Sequence, residues 1–414
     1  MRSLHASILF ISGFLAIVAA ACSREAPIPE KTPPPNPQKT ADNTEKPAET
    51  SSKPITSTNP SPTASASTDK PIPAPHKVAE IPAEERDKLT GLISFISERD
   101  GQREVYVIRP NGTNEKRFTN NKYSDYNGPF SPDGKAMLVI RVEGEEGPQK
   151  LYWWPLDGSE PKRLGPDTGR LRFPNFTPDG RFVVFESNGS KELPAHFCDI
   201  YRVDAAGKKF EKLTNNDEGN FEPAISPRGD VIVHISSRDR VAELYAMKID
   251  GQSPLRLTNT PRDEWGAKFS PDGKRIAFIS DREGAERIWV KDFPDGPERR
   301  LTQRNPAPRV VEDKIAWAPS GQKIAYVLTI PDTPSMVWIF DLETGKEIVL
   351  RGPPGQITDP SWSADGRHLT VTVTHGENQQ IWIVREDGTA WWPVTSTPGG
   401  NWNPIWSQSS KAKK

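Results

Sequence analysis

The sequence predicts an all-β fold: a seven-bladed β-propeller closed by its own C-terminal strand and preceded by a disordered tether, with six or eight blades as alternatives. The first observation is a returning turn: Ser131-Pro-Asp-Gly, Thr177-Pro-Asp-Gly, Ser226-Pro-Arg-Gly, Ser270-Pro-Asp-Gly, Ala318-Pro-Ser-Gly, Ser363-Ala-Asp-Gly and a worn copy, Ser407-Gln-Ser-Ser. The second is its spacing, with steps of 46, 49, 44, 48, 45 and 44 residues. A period in the forties built from short strands is the signature of four-stranded propeller blades. The third is a pair of incomplete copies at the two ends, which complement each other.

Each repeat follows from local chemistry. In Ser-Pro-Asp-Gly, Pro presets φ at the first corner, Asp tolerates the second, and Gly takes the positive φ that closes a hairpin. The residue before the turn is Phe130, Phe176, Ile225, Phe269, Trp317, Trp362 or Trp406, apolar in every copy, which reads as a core position. A repeat therefore runs strand A, tight turn, strand B, variable loop, strand C, Gly turn and strand D. Blade 5 shows this as 267–269, 275–279, 287–290 and 299–302, and a Gly stands in the C–D turn of all seven copies, from Gly112 to Gly388. The first copy, from Leu92, has strands B, C and D without a strand A. The last, Trp402 to Trp406, is a strand A with nothing after it. The C-terminal strand should complete the first blade and remove the ring's free edges.

The N-terminal region reads differently. Residues 1–21 have the form of a signal peptide, with Arg2, an apolar stretch from Ile8 to Val18 and Ala19-Ala-Ala before Cys22. Cleavage before Cys22 would make it a lipid anchor, and Ser23 then points to the outer membrane; cleavage by an ordinary signal peptidase is the alternative, leaving a soluble periplasmic protein. Residues 22–84 are rich in Pro, Ser, Thr, Ala, Lys and Glu, a composition that cannot bury enough surface to offset its ordering entropy. The propeller is assigned to 85–408 and a basic tail to 409–414. With 414 residues, 26% charged and a net charge of -1, nothing in bulk charge points to nucleic acid. After Cys22 only Cys198 remains, so the propeller has no internal disulfide to rely on.

The Phe269-Ser-Pro-Asp-Gly-Lys turn, the Ile-Ala-Phe-Ile-Ser-Asp-Arg run at 276–282 and the Leu-Thr ends at 213, 257 and 301 resemble the WD40-like repeats of the TolB family, over roughly residues 90–408. The resemblance implies a propeller of the cell envelope. It departs from TolB, which has an α/β domain before six blades, and so a TolB-like part in a Tol-Pal type system is a second alternative.

Chemistry is sparse. The sequence holds no Gly-x-Ser-x-Gly elbow, His-Glu-x-x-His or Cys-x-x-Cys. Oligogalacturonide lyases resemble this chain in having seven blades, and their metal is held by His and Gln near the channel, so a metal-dependent polysaccharide lyase is the enzyme alternative. Here His76 lies in the tether, His234 aligns with Phe185 and Phe278 as a core residue, His368 begins a strand B, and His196 and His375 lie in loops of different blades. The expectation is no catalytic residue, no metal site and no cofactor.

Candidate binding residues come from counting five back from each turn: Tyr126, Arg172, Phe221, Trp265, Asp313, Thr358 and Trp402, at the entrance of the innermost strands. Aromatics and Arg dominate binding hot spots; packing between blades is the competing reading. The B–C loop from Ser187 adds Leu193 and Phe197, with Cys198 read as a buried small residue. The function expected is non-catalytic: a monomer that binds an envelope protein, a peptide or a cell-wall or other polysaccharide polymer through the face of the B–C and D–A loops, touching a membrane only through Cys22.

Overall fold

The structure, a computed structural model, describes residues 78–408 apart from 145–146, 168, 190–196, 216–217 and 304–308. The signal peptide, Cys22, His76, Leu193, His196 and the tail at 409–414 lie outside the described residues.

Seven antiparallel sheets form the blades, each with strands A to D running from the channel outward. Blade 2 comprises Ser124–Phe130, Ala136–Val142, Gln149–Pro155 and Lys162–Leu164; blade 3, Leu171–Phe176, Phe182–Ser187, Asp199–Asp204 and Phe210–Lys212. Blade 4 comprises Asn220–Ile225, Val231–Ser236, Glu243–Lys248 and Leu255–Arg256; blade 5, Glu264–Phe269, Arg275–Ser280, Arg287–Asp292 and Glu298–Arg300. Blade 6 comprises Val311–Trp317, Lys323–Thr329, Met336–Asp341 and Glu347–Val349; blade 7, Gln356–Trp362, His368–His375, Asn378–Arg385 and Ala390–Pro393. Blade 1 takes Asn401–Trp406 as strand A beside Ile93–Ser97, Glu104–Ile108 and Lys116–Arg117. Trp406 pairs with Ile93 and Asn401 with Ser97, so the last strand closes the ring as expected.

A second closure was not legible in the sequence. Ala79–Glu80 pair in parallel with Ala390 and Trp391 as a fifth, outermost strand on blade 7. The short helix Ala83–Arg86 follows, and its Glu85 binds His368 at 2.8 Å and Arg385 at 2.9 Å. The folded body therefore begins upstream of residue 85.

The core consists of layers between blades. Strands B are buried on both faces, as in Ile276, Ala277, Phe278 and Ile279, so they read as continuous apolar runs. Ala277, Ile279 and Ile288 of blade 5 pack on Ile324, Tyr326 and Leu328 of blade 6, and each other neighbouring pair repeats the arrangement.

The repeated motifs have visible tasks. In the turn, Gly273 has φ 71° and its N–H donates to Ser270 O at 2.9 Å, while Ser270 Oγ donates to Asp272 at 2.6 Å. The glycine is required a second time: a Cβ on Gly229 would stand 3.1 Å from Pro178 Cδ, and one on Gly273 3.3 Å from Pro227 Cδ, because each turn's proline nests on the next turn's glycine. The Thr of the Leu-Thr ends is a clamp. Thr214 Oγ1 accepts from Ile200 N at 2.9 Å and donates to Asp199 at 2.6 Å, tying strand D back to strand C.

Candidate functional site

All seven strands A are bulged. In blade 3, Arg172 pairs with Glu186 and Asn175 with Val184, so Phe173 and Pro174 together oppose the single residue Phe185. The first residue of this bulge is left-handed in six blades: Phe173 (φ 50°), Glu222 (50°), Gly266 (67°), Lys314 (57°), Asp359 (52°) and Asn403 (55°). In blade 2 the bulge falls one residue later, between Asn127 and Phe130. For residues other than Gly this conformation costs about 1–2 kcal/mol, so five such residues at one register mark a place where tertiary structure overrides local preference.

A bulge on an innermost strand leaves N–H groups unpaired, and side chains from the preceding blade supply acceptors. Glu186 accepts from Glu222 N at 2.7 Å, and Glu222 from Gly266 N at 2.7 Å. Asn127 and Asn403 exchange bonds at the seam: Asn127 Nδ2 donates to Asn403 O and Asn403 Nδ2 to Asn127 Oδ1, both at 3.0 Å. Burial raises the Glu186 carboxyl, against the pull of Arg172 at 2.6 Å. Burial and the charge of Glu186 likewise raise Glu222. Lys268, which faces the channel, is held below its ordinary range by burial, partly offset by Glu222. By accessible surface Glu222 is half-buried and Lys268 exposed, so both keep water on one side.

The seven predicted residues share one register. Tyr126 pairs with Ile140, Arg172 with Glu186, Phe221 with Ile235, Trp265 with Ile279, Asp313 with Val327, Thr358 with Thr372 and Trp402 with Ile96. All seven are half-buried. Tyr126 and Trp402 meet edge to face at 6.4 Å, with the Arg103 guanidinium 5.5 Å and 6.0 Å from their centroids. Phe221 and Trp265 pack into the layer between blades 4 and 5, and Trp265 also into the layer between blades 5 and 6. Asp313 accepts from Lys314 N at 2.6 Å, and Thr358 donates to Asp359 at 3.2 Å.

Around Arg172 the structure gathers more than the sequence reading did. Its Nη2 lies 3.9 Å from Cys198 Sγ, which joins it to the end of the B–C loop. Phe197, beside Cys198, is 38% exposed, and Phe173, beside Arg172, is 41% exposed. Cys198 itself is buried, and its thiol is pushed up to about 12 by burial and by Glu186. Phe173 was missed because nothing in an isolated Phe signals a left-handed backbone; the only hint is the proline that follows it, repeated at Pro223, Pro360 and Pro404. His234 is a core residue: fully buried, opposite the bulge of blade 4 and lowered to about 3 by burial.

This ring of seven blades, with the turn and clamp chemistry described, is a TolB-like β-propeller fold. No family model matches the chain. It is 28% identical over 159 residues to an uncharacterized protein of Agrobacterium fabrum, covering 36% of this chain and 52% of that one. To the Tol-Pal system protein TolB of Francisella tularensis subsp. holarctica it is 26% identical over 120 residues, 28% of this chain and 26% of that one. The chain thus spans about half or less of the length of the curated relatives it matches. Among solved structures, TolB from Acinetobacter baumannii superposes with a TM-score of 0.50 at 22% identity, over 82% of this chain and 89% of that one. An oligogalacturonate lyase in complex with manganese gives 0.54 at 15% identity, over 74% and 84%. A puromycin hydrolase gives 0.58 at 16%, over 78% and 57%. At these identities the likeness shows the fold alone, and the fold is shared by proteins of unlike activity, so function has to be read from the site.

Proposed function

We propose that this chain is a non-catalytic propeller of the cell envelope that binds a protein, peptide or polymer partner at the channel mouth on the face of the B–C and D–A loops. The observation that carries this reading is the cluster at blade 3: two exposed aromatics, Phe173 next to Arg172 in the chain and Phe197 next to Cys198, which Arg172 reaches, lie by a guanidinium already fixed by Glu186. Exposed aromatics gathered near a pre-oriented guanidinium are the composition of a binding hot spot. The Tyr126–Arg103–Trp402 stack, at the same register of the seam, extends the surface across the mouth. Trp265 is set aside as a contact residue, since it packs into two inter-blade layers. Attachment through Cys22 belongs to the same proposal and would hold the mouth at the envelope.

The test is capture of the partner by in-cell crosslinking, with Phe173→Ser/Phe197→Ser and Trp402→Ala compared with wild type. Each variant should lose about tenfold or more of the captured partner while unfolding at the wild-type temperature. Undiminished capture by folded variants would place the site elsewhere. Stoichiometric metal retained through purification and lost on changing His375 would instead favour the lyase alternative.

A further inference from the structure

The layer between blades 3 and 4 holds a cavity of about 240 Å³, and no residue of an innermost strand lines it. Leu213, Met247 and Pro254 give it an apolar wall, His234 and Arg238 supply polar groups, and the exposed Asn215 marks where it meets water. The repeat explains why the cavity is there. Phe95 of blade 1 and Phe278 of blade 5 occupy the place of His234, and the three pair across to the strand C rings Tyr106, Trp289 and Tyr245. Four residues further on stand Arg99, Arg282 and Arg238. Each guanidinium stacks on its strand C ring, at 4.3, 4.3 and 4.2 Å from the centroid. Each Nε donates to a strand B serine, Ser97 and Ser280 at 2.9 Å and Ser236 at 3.0 Å.

Blade 4 departs from blades 1 and 5 in what these arginines meet. Arg99 Nη1 donates to Glu115 and its Nη2 to Asn401 at 2.7 Å; Arg282 Nη1 donates to Glu298 at 2.7 Å and its Nη2 to Glu264 at 2.9 Å. Glu115 and Glu298 stand directly before the strand D residues Lys116 and Arg299, which pair with Val107 and Val290. The same position of blade 4, directly before Leu255 opposite Ala246, is Pro254. Among the described residues neither Nη of Arg238 donates a hydrogen bond, and neither ring nitrogen of the fully buried His234 has a partner. The imidazole, lowered to about 3 by burial and by Arg238, is neutral and keeps an N–H to donate. A guanidinium already stacked and anchored to a serine need not be ordered by a ligand, and a carboxylate is the group its planar fork fits. The space that a phenylalanine ring and a glutamate chain fill in blades 1 and 5 is left for the body of the acid.

We infer that this inter-blade cavity is a second binding site, separate from the channel mouth, for a small carboxylate with an apolar ring or short chain, whose carboxylate takes the Arg238 fork and whose body lies against His234, Met247 and Pro254. The probes are benzoate and hexanoate, each titrated into the purified protein by isothermal calorimetry beside its neutral amide. At least one acid should bind saturably and about tenfold or more tighter than its amide. Arg238→Gln should remove that difference. Pro254→Glu supplies from within the carboxylate that blades 1 and 5 carry, and should weaken binding of the acid about tenfold or more. His234→Phe restores the larger ring and should weaken it as much while melting no lower than wild type. Phe173→Ser at the channel mouth should leave binding unchanged. The inference is overturned if neither acid binds, if the amides bind equally, or if Pro254→Glu or His234→Phe, shown folded by thermal melting, binds the acid as wild type does.

Discussion

The Glu222 carboxylate accepts a hydrogen bond from the backbone N–H of Gly266 at 2.7 Å, joining the innermost strands of blades 4 and 5 where both are bulged. Each bulge exposes a donor that the blade cannot satisfy from within, and leaving such a group buried without an acceptor costs about 1–3 kcal/mol. Glu222→Ala should lower stability by about that amount, and Glu222→Gln, which keeps an acceptor, by clearly less. Burial and Glu186 hold the Glu222 carboxyl above its ordinary range, so the folded state binds this proton more tightly than the unfolded chain. Its contribution is greatest at acid pH and declines as pH rises through the folded value. Denaturant titrations across pH should show that decline reduced in Glu222→Gln.

His234 has the opposite sign. It is fully buried, neither ring nitrogen has a hydrogen-bond partner among the described residues, and its pKa falls from 6.5 to about 3 through burial, with Arg238 adding to the effect. Stability is therefore fully present above the unfolded value and is lost as pH falls from 6.5 towards 3, because only the unfolded chain takes up the proton. Phe185 and Phe278 occupy the equivalent place in neighbouring blades. His234→Phe should raise stability at neutral pH by about 1–3 kcal/mol and flatten the acid limb of the curve. Unchanged acid sensitivity would assign that limb to other groups.

Closure by Asn401–Trp406 makes the ring cooperative, since it covers the free inner edge of Ile93–Ser97 in blade 1. Besides pairing with Ile93, Trp406 donates from its indole to Thr90 O at 2.9 Å, and Ser407 N donates to Leu92 O at 2.9 Å. Deleting 401–414 should broaden thermal unfolding and lower its midpoint, whereas deleting 409–414 alone should do neither. A 401–414 truncation that melts like wild type would contradict the closure.

The parts of this fold that were legible in the sequence are those set by short-range chemistry. Pro and Gly fix the turn through their own backbone preferences, so the six turns from Ser131 to Ser363, with the worn copy at Ser407 and the complementary half-blades at the two ends, gave seven blades and, by counting back, the common register of Tyr126 to Trp402. The bulges were not legible, because a left-handed Phe173 or Glu222 runs against local preference and is imposed by the neighbouring blade. For the same reason Phe173 was overlooked although Arg172, one residue earlier, was singled out. Trp265 and Trp402 look alike in sequence, and only the packing of the flanking blades separates an inter-blade residue from one in the Arg103 stack. Ala79–Glu80 escaped notice because a two-residue strand carries no alternation to read.

The most direct test of binding at the loop-face mouth is site-specific photocrosslinking in cells, with a photoreactive residue placed in turn at Phe173, at Phe197 and at Leu255. All three side chains are exposed, at 41%, 38% and 49%, so the substitutions leave the core intact, and Leu255 sits on the outer strand of blade 4. A discrete adduct to one partner from Phe173 and Phe197, and none from Leu255, is the predicted result. Adducts from Leu255 alone, or equally from all three positions, would contradict the account.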